Sequence, residues 1–247
     1  MSFTARSEHL SFNRLTTAGF SHAVSNRSWG SLNPFVGYNF ISRLEANLDA
    51  GSKPLAERLV LPEEIHSARV HACVSSDGGS IRLGVDALVA VHPELIAIIY
   101  AADCMPILLA DDKTGAVAAI HAGRRGLLSN IVDNTMAALT ANASATPSTV
   151  IVALGPALRV CCHEIREDIF PELEKAGWMR YVQERDQRYY LDLVGGCRDA
   201  LIAAGIAHSQ IEDCEVCTYC DSRFFSARRR TADDERGASF AAMISAR

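Results

Sequence analysis

The sequence predicts a single α/β layered domain over residues 1–247, and three observations carry that prediction. Short β-branched apolar runs, uninterrupted by polar segments, recur through the middle of the chain, the pattern of strands covered on both sheet faces. Apolar positions switch to helical spacing after several of these runs. No Pro/Gly/Ser-rich linker, charge block or internal repeat divides the chain, so strands and helices share one core.

The elements follow in order. Residues 85–91 (VDALVAV) and 95–101 (LIAIIYA) are two such runs, and the second leads into Asp103-Cys104. Ile107 to Ala110 is a third, closed by the turn sequence Asp111-Asp112-Lys113-Thr114-Gly115. Ala116 to Ile120 is a fourth and runs into His121. After Gly126, residues Leu127, Leu128, Ile131, Val132, Thr135 and Met136 recur at helical spacing to about Leu139. Residues 150–154 (VIVAL) form a further strand ending at Gly155-Pro156. Leu191 to Ala204 reads as a helix stopped by Gly205, since glycine accepts the left-handed conformation that ends helices.

Composition narrows the function classes. A hydrophobic share of 49% supports a substantial core, and 21% charged residues is ordinary for a soluble chain. A net charge of -5 argues against a general nucleic-acid binder. The basic residues gather at Arg124-Arg125 and Arg228-Arg229-Arg230, too few for a backbone-tracking groove but suited to a phosphate or carboxylate. The opening MSFTARSEHLSFN lacks the basic start and apolar core of a secretory signal. No run approaches the ~18 apolar residues of a membrane span. Eight cysteines without such a signal point to reduced thiols, and the chain is expected in the cytoplasm.

Three short stretches, Ile65-His66-Ser67, Ala102-Asp103-Cys104 and His121-Ala122-Gly123, each carry one soft or borderline metal ligand. His, Cys and His from separate elements, with no fourth ligand at close spacing, is the donor set of a catalytic zinc with an open position. His71 rivals His66 for the first place. Cys104 precedes Met105-Pro106, and the proline favours a sharp turn that would expose the thiol. Taken alone, Cys104 reads as a small buried hydrophobe. His121 precedes Ala122-Gly123-Arg124-Arg125-Gly126 and a helix, where free backbone N–H groups and two arginines can meet an anion. Glu164, after Cys161-Cys162-His163, is either an acid/base or a solvated loop residue. Cys214, Cys217 and Cys220 form C-x2-C-x2-C but lack the fourth cysteine followed by proline of an iron–sulfur run. They read as structural or incidental thiols, and the adjacent Cys161-Cys162 offers poor geometry for two bonds to one metal.

Together these residues resemble the YfiH-like family, long labelled laccase-domain or multicopper polyphenol oxidase proteins and later assigned as purine nucleoside phosphorylases. The matching stretches are SLN (31–33), IHSARV (65–70), ADCMPILLAD (102–111) and GAVAAIHAGRRGLLSNIV (115–132). GPAL (155–158), CCHEI (161–165), LDL (191–193), CT (217–218) and FFSARR (224–229) extend the resemblance over nearly the whole chain. It implies one α-β-β-α sandwich domain and a metal held by His66, Cys104 and His121, selecting His66 over His71. It also implies phosphorolysis of adenosine, inosine, guanosine and methylthioadenosine, with deamination of adenosine. Zinc is the expected ion and copper the alternative. Purine nucleoside and phosphate are the expected partners, with Arg124, Arg125 and Arg228 as phosphate ligands and Asp103 or Glu164 assisting proton transfer. Arg124 stands where the family has tryptophan.

Three other readings use the same residues. A metal-free Cys104/His121 hydrolase or deamidase would let the imidazole activate the thiolate. Copper-dependent polyphenol (laccase) oxidation calls for H-x-H clusters, which the sequence lacks. A non-catalytic partner of cell-wall enzymes, in line with the peptidoglycan-precursor editing that the resemblance implies for some bacterial members, would be favoured by an open groove without bound metal.

Overall fold

The apolar runs pair into two large sheets. The structure is a computed structural model and describes residues 3–36, 39–49, 51, 53–230 and 236–247. One sheet has the order β15 (Ile211–Asp213), β11 (Val150–Leu154), β9 (Met105–Asp111), β10 (Val117–Ala122), β7 (Ala87–Ala90) and β5 (Val70–Cys73). The other has the order β2 (His22–Val24), β16 (Phe240–Ser245), β8 (Ile96–Ala101), β4 (Leu59–Pro62) and β6 (Ser80–Arg82). Smaller pairings join β1 (Thr4–Ala5) to β3 (Leu48–Asp49), and β12 (Glu164–Ile165), β14 (Arg188–Leu191) and β13 (Val182–Arg185) in that order.

Every residue of β8, β9 and β10 is buried, and stacking is the reason. Leu88, Leu108 and Val117 of the first sheet meet Ala97, Ile99 and Ile244 of the second in one core. The alternate residues Val89, Ile107, Leu109 and Ile120 face the other way. There they meet α4 (Ile131–Ala143) and α6 (Leu193–Ala203) through Met136, Leu139 and Leu201. The outer face of the second sheet, with Ile98, Tyr100 and Met243, is covered by Trp29 and by Phe40 and Leu44 of α2 (Phe40–Asn47). The layers therefore run helix, sheet, sheet, helix. Because β9 pairs antiparallel with both β10 and β11, the continuous apolar runs arise from two stacked sheets and not from parallel crossovers. Among the described residues, no helix is long and apolar enough to cross a membrane.

Boundaries shift where backbone geometry intervenes. The helix expected from Leu127 to Leu139 divides into α3 (Arg124–Leu128) and α4, because Asn130 adopts a left-handed φ of 65°. The helix expected from Leu191 starts at Leu193, capped by Asp192, which accepts a 2.8 Å bond from the Gly195 N–H. The strand expected to stop at Ile120 runs to Ala122, which places His121 inside β10, opposite Pro106. Pro106 lies within β9, and the sharp turn falls three residues before it, at Asp103 with φ 97°.

Candidate metal centre and pocket

Three loops or strand ends converge beside β9 and β10. The donor atoms of His66, Cys104 and His121 lie within 4.8 Å of one another. Cys104 Sγ is 3.7 Å from His66 Nε2, and the two imidazole rings meet edge-on with centroids 4.9 Å apart. His71, the rival ligand, instead bonds Asp77 at 2.6 Å.

Asp86 organises this convergence. It is fully buried, and its carboxylate accepts from His66 N (2.9 Å), Ser67 N (2.6 Å), Ser67 Oγ (2.7 Å) and the His121 ring at Nδ1 (2.9 Å). These bonds hold the loop that gives His66 its left-handed φ of 61°, a costly conformation for a residue with a Cβ. They also occupy His121 Nδ1, leaving Nε2 to serve as a donor, the usual outer support of a metal-bound histidine. Burial pushes the Asp86 carboxyl up, and the bonds from His121 and Ser67 more than reverse it, to about 2. Burial likewise raises the Cys104 thiol, and the charge and hydrogen bond of His121, with those of His66, bring it down to about 6. A thiolate and two oriented imidazoles therefore fit a divalent ion of zinc type.

Gly123 explains the glycine of the HAG stretch. A Cβ built there would lie 2.9 Å from Cys104 Sγ and 3.1 Å from His66 Cδ2. If the triad holds a divalent ion, Gly123→Ala is expected to weaken its binding about 10–100-fold, the usual cost of disturbing a ligand's support, with little change in helical signal. Competition against a chelating dye measures the affinity.

The triad borders two cavities. The first, about 310 Å3, has His66, Asp103, Cys104, Gly123, Arg124, Arg125, Leu158, His163 and Leu193 on its walls. The second, about 280 Å3, shares His66 and Cys104 with the first and includes Glu64, Tyr100, His121 and Arg230. Each holds a residue with an unmet polar atom: the Tyr100 hydroxyl and His163 Nδ1 are buried without a hydrogen-bond partner. Such atoms are few in native proteins and call for a partner. Burial, assisted by the positive charge of Arg228, lowers His163 to about 4, so it is neutral at pH 7.

The remaining expected site residues divide. Arg124 and Arg125 both border the first cavity. Arg124 is paired with Glu172, whereas Arg125 is exposed and has no ion pair among the described residues. Arg228 turns away, donating to the carbonyls of Cys162 (3.4 Å) and Glu164 (3.1 Å), and borders a different cavity with Glu164 and Arg166. Asp103 borders the first cavity, but its carboxylate is engaged by Thr218 Oγ1 and Arg228 N, each at 2.6 Å. Glu164 pairs with Arg188 at 3.3 Å, outside both triad cavities.

Sequence reading overlooked Asp86, Glu64 and Tyr100. Asp86 was legible as the lone acid inside the run VDALVAV. Glu64 lies 3.8 Å from His121 Nδ1, and burial pushes its carboxyl up to about 7; it stands two residues before His66 in the sequence. Tyr100 sat unremarked in an apolar strand. The thiols also need correction: Cys161 and Cys162, expected to be poorly placed for one metal, both lie within 4.8 Å of Cys217 and Cys220.

Comparison with known proteins places this site in context. The sequence profile of the family described as multi-copper polyphenol oxidoreductase laccase matches residues 22–246. The chain belongs to this family. A protein of Bacteroides thetaiotaomicron named purine nucleoside phosphorylase is 29% identical, over 93% of this chain and 94% of its own length. A protein from an unknown prokaryotic organism, named adenosine deaminase RL5, is 29% identical over 87% of each chain. The crystal structure of Bacillus licheniformis hypothetical protein YfiH superposes with a TM-score of 0.83, covering 99% of each chain at 20% identity. The laccase-family fold is therefore the mixed α/β sandwich described above, and the YfiH-like resemblance of the sequence is the family shown.

Proposed function

We propose that the protein is a zinc-dependent purine nucleoside phosphorylase that also deaminates adenosine. The observation that carries this reading is a His/Cys/His donor set bordering two cavities, each with a buried polar atom awaiting a partner. The relatives' names supply the substrate class. A first cavity of about 310 Å3 is at the small end of the ~300–1,000 Å3 range of ligand sites.

His66, Cys104 and His121 would hold the ion, which when bound acts as a Lewis acid and lowers the pKa of bound water. Arg125, exposed and without an ion pair among the described residues, binds inorganic phosphate, and Arg124 shares this task when it leaves Glu172. A phosphate oxygen bonds to ribose C1′ as the C1′–N9 bond breaks; the electron pair departs on the purine, which takes up a proton. Glu64 accepts from Tyr100 N through Oε1 at 2.7 Å and is the carboxyl placed to move protons through Oε2, since both Asp103 oxygens are bonded and Glu164 borders a different cavity. The Tyr100 hydroxyl and neutral His163 offer hydrogen bonds to the base and sugar. Positioning and charge stabilisation supply most of the acceleration.

Zinc-analysed protein incubated with adenosine, inosine, guanosine or methylthioadenosine should release free base and ribose 1-phosphate only when phosphate is present. Adenosine alone should give inosine. Arg125→Ala should raise the phosphate concentration for half-maximal rate about tenfold, the loss of one charge-assisted hydrogen bond. Zinc-replete protein that releases no base from any of the four nucleosides sinks the proposal. Activity that survives zinc removal and is abolished by alkylation would favour the Cys104/His121 hydrolase instead, a reading motivated by the depressed Cys104 thiol.

A further inference from the structure

Four cysteines outside the triad meet where two distant loops cross. Ala157 and Cys217 form a parallel bridge, with Ala157 N donating to Val216 O (3.2 Å) and Thr218 N to Ala157 O (3.0 Å). On one side the chain turns back after Arg159, whose carbonyl accepts from Cys162 N at 2.8 Å, and presents Cys161 and Cys162. On the other, Cys217 and Cys220 sit at the ends of a C-x2-C turn, with Asp221 N bonded to Cys217 O at 2.9 Å. The sulfurs of Cys162 and Cys220 are 3.4 Å apart, those of Cys161 and Cys220 are 4.0 Å apart, and all four lie within 4.8 Å of one another.

We propose that Cys161, Cys162, Cys217 and Cys220 bind one zinc-type ion in a closed all-thiolate centre that braces the loop carrying Asp103 and Cys104. Four sulfurs at Zn–S bonds of ~2.3 Å around a tetrahedron stand ~3.8 Å apart, the spacing these side chains approach. In an iron–sulfur cluster four cysteines are divided over two or four irons, so all four cannot stand as close together as ligands that share one ion. Thiolates select zinc over magnesium or calcium, and four protein ligands leave no open position, which marks a structural centre.

The surroundings suit the negative charge of such a centre. Arg185 donates to Val160 O (2.6 Å), Arg228 to Cys162 O (3.4 Å) and Arg229 to Tyr219 O (2.9 Å), so three guanidinium groups flank the two cysteine loops. The connection to the triad is short. Thr218, next to Cys217, donates to Asp103 Oδ1 at 2.6 Å, and Leu158 N donates to Asp103 O at 2.9 Å. Asp103 holds a left-handed φ of 97° directly before Cys104, a conformation that persists only when its neighbours fix it. An ion joining the two cysteine loops would fix them.

This inference stands apart from the nucleoside reading, and metal counting tests it without any substrate. Protein prepared with zinc under reducing conditions, then desalted without chelator, should hold two equivalents of zinc. The double variant Cys217→Ser/Cys220→Ser should hold one, and so should His66→Ala/Cys104→Ala. Cobalt loaded into the latter should show the intense charge-transfer absorption of a tetrathiolate site. A Cys217→Ser/Cys220→Ser variant that holds as much zinc as wild type, or a His66→Ala/Cys104→Ala variant that holds none, overturns the proposal. A disulfide joining the two cysteine loops in reducing buffer, or an iron–sulfur chromophore, also overturns it. Should the serine variant fail to fold, the triad-less variant decides alone: one equivalent supports the second centre, none excludes it.

Discussion

Asp86→Asn is expected to destabilise the fold by about 3–5 kcal/mol, the cost of leaving one partner of a buried ionic network without the other. Asparagine matches the volume of aspartate, so packing is preserved. Its amide nitrogen, however, replaces one of two accepting oxygens, so either the pair of bonds from the Ser67 N–H and hydroxyl or the pair from the His66 N–H and the His121 ring is lost. The negative charge beside His121 is also lost. Because those bonds hold His66 in its left-handed turn and orient the His121 ring, zinc affinity should fall about 10–100-fold in parallel. Urea denaturation and competitive zinc titration read the two effects separately. A variant as stable as wild type, with zinc affinity unchanged, would show that Asp86 does not organise the centre.

Cys104→Ala is expected to remove the triad-bound ion and to lower phosphorolysis more than ~100-fold, beyond the loss typical of an outer-shell change. The thiol is only partly buried, and its sulfur faces His66 and the cavities more than the core. Stability should therefore change by less than about 1 kcal/mol in metal-free protein, within the range of substitutions that leave little void. Cys217→Ser should show the opposite balance, with reduced thermal stability and a smaller loss of turnover, because its sulfur does not reach the triad. Parallel kinetics, metal analysis and thermal melts on the two variants separate these roles. Full phosphorolysis by zinc-free Cys104→Ala protein would contradict a zinc-dependent mechanism.

Much of the architecture was legible because burial leaves a linear trace. The runs at 95–101 and 107–110 read as covered strands, and β8 and β9 are buried throughout. How they pair was not legible, β9 antiparallel with β10 and β11 but β8 antiparallel with β16 and parallel with β4, since continuous hydrophobicity records that both faces are covered but not by what. The break at Asn130 was hidden for a related reason: apolar spacing continues across it, and the left-handed residue is seen only in the backbone.

The site divides along the same line. His66, Cys104 and His121 could be named from short stretches because each is a chemically distinctive side chain in a distinctive local setting. The roles of Arg228 and Glu164 could not, because both are decided by which neighbour a long, flexible side chain reaches. In the fold Arg228 caps the carbonyls of Cys162 and Glu164, and Glu164 pairs with Arg188.

What the sequence by itself determined is the layered α/β class, the family and the residues able to bind a soft metal, since these depend on local pattern and side-chain chemistry. Only the tertiary structure decided that Asp86 supports His66 and His121 from 20 and 35 positions away, and that four cysteines from two loops share one neighbourhood. The physical reason is that hydrogen bonding and coordination act over a few ångströms of space. Nothing in linear spacing says which distant segments the stacked sheets will bring within that reach.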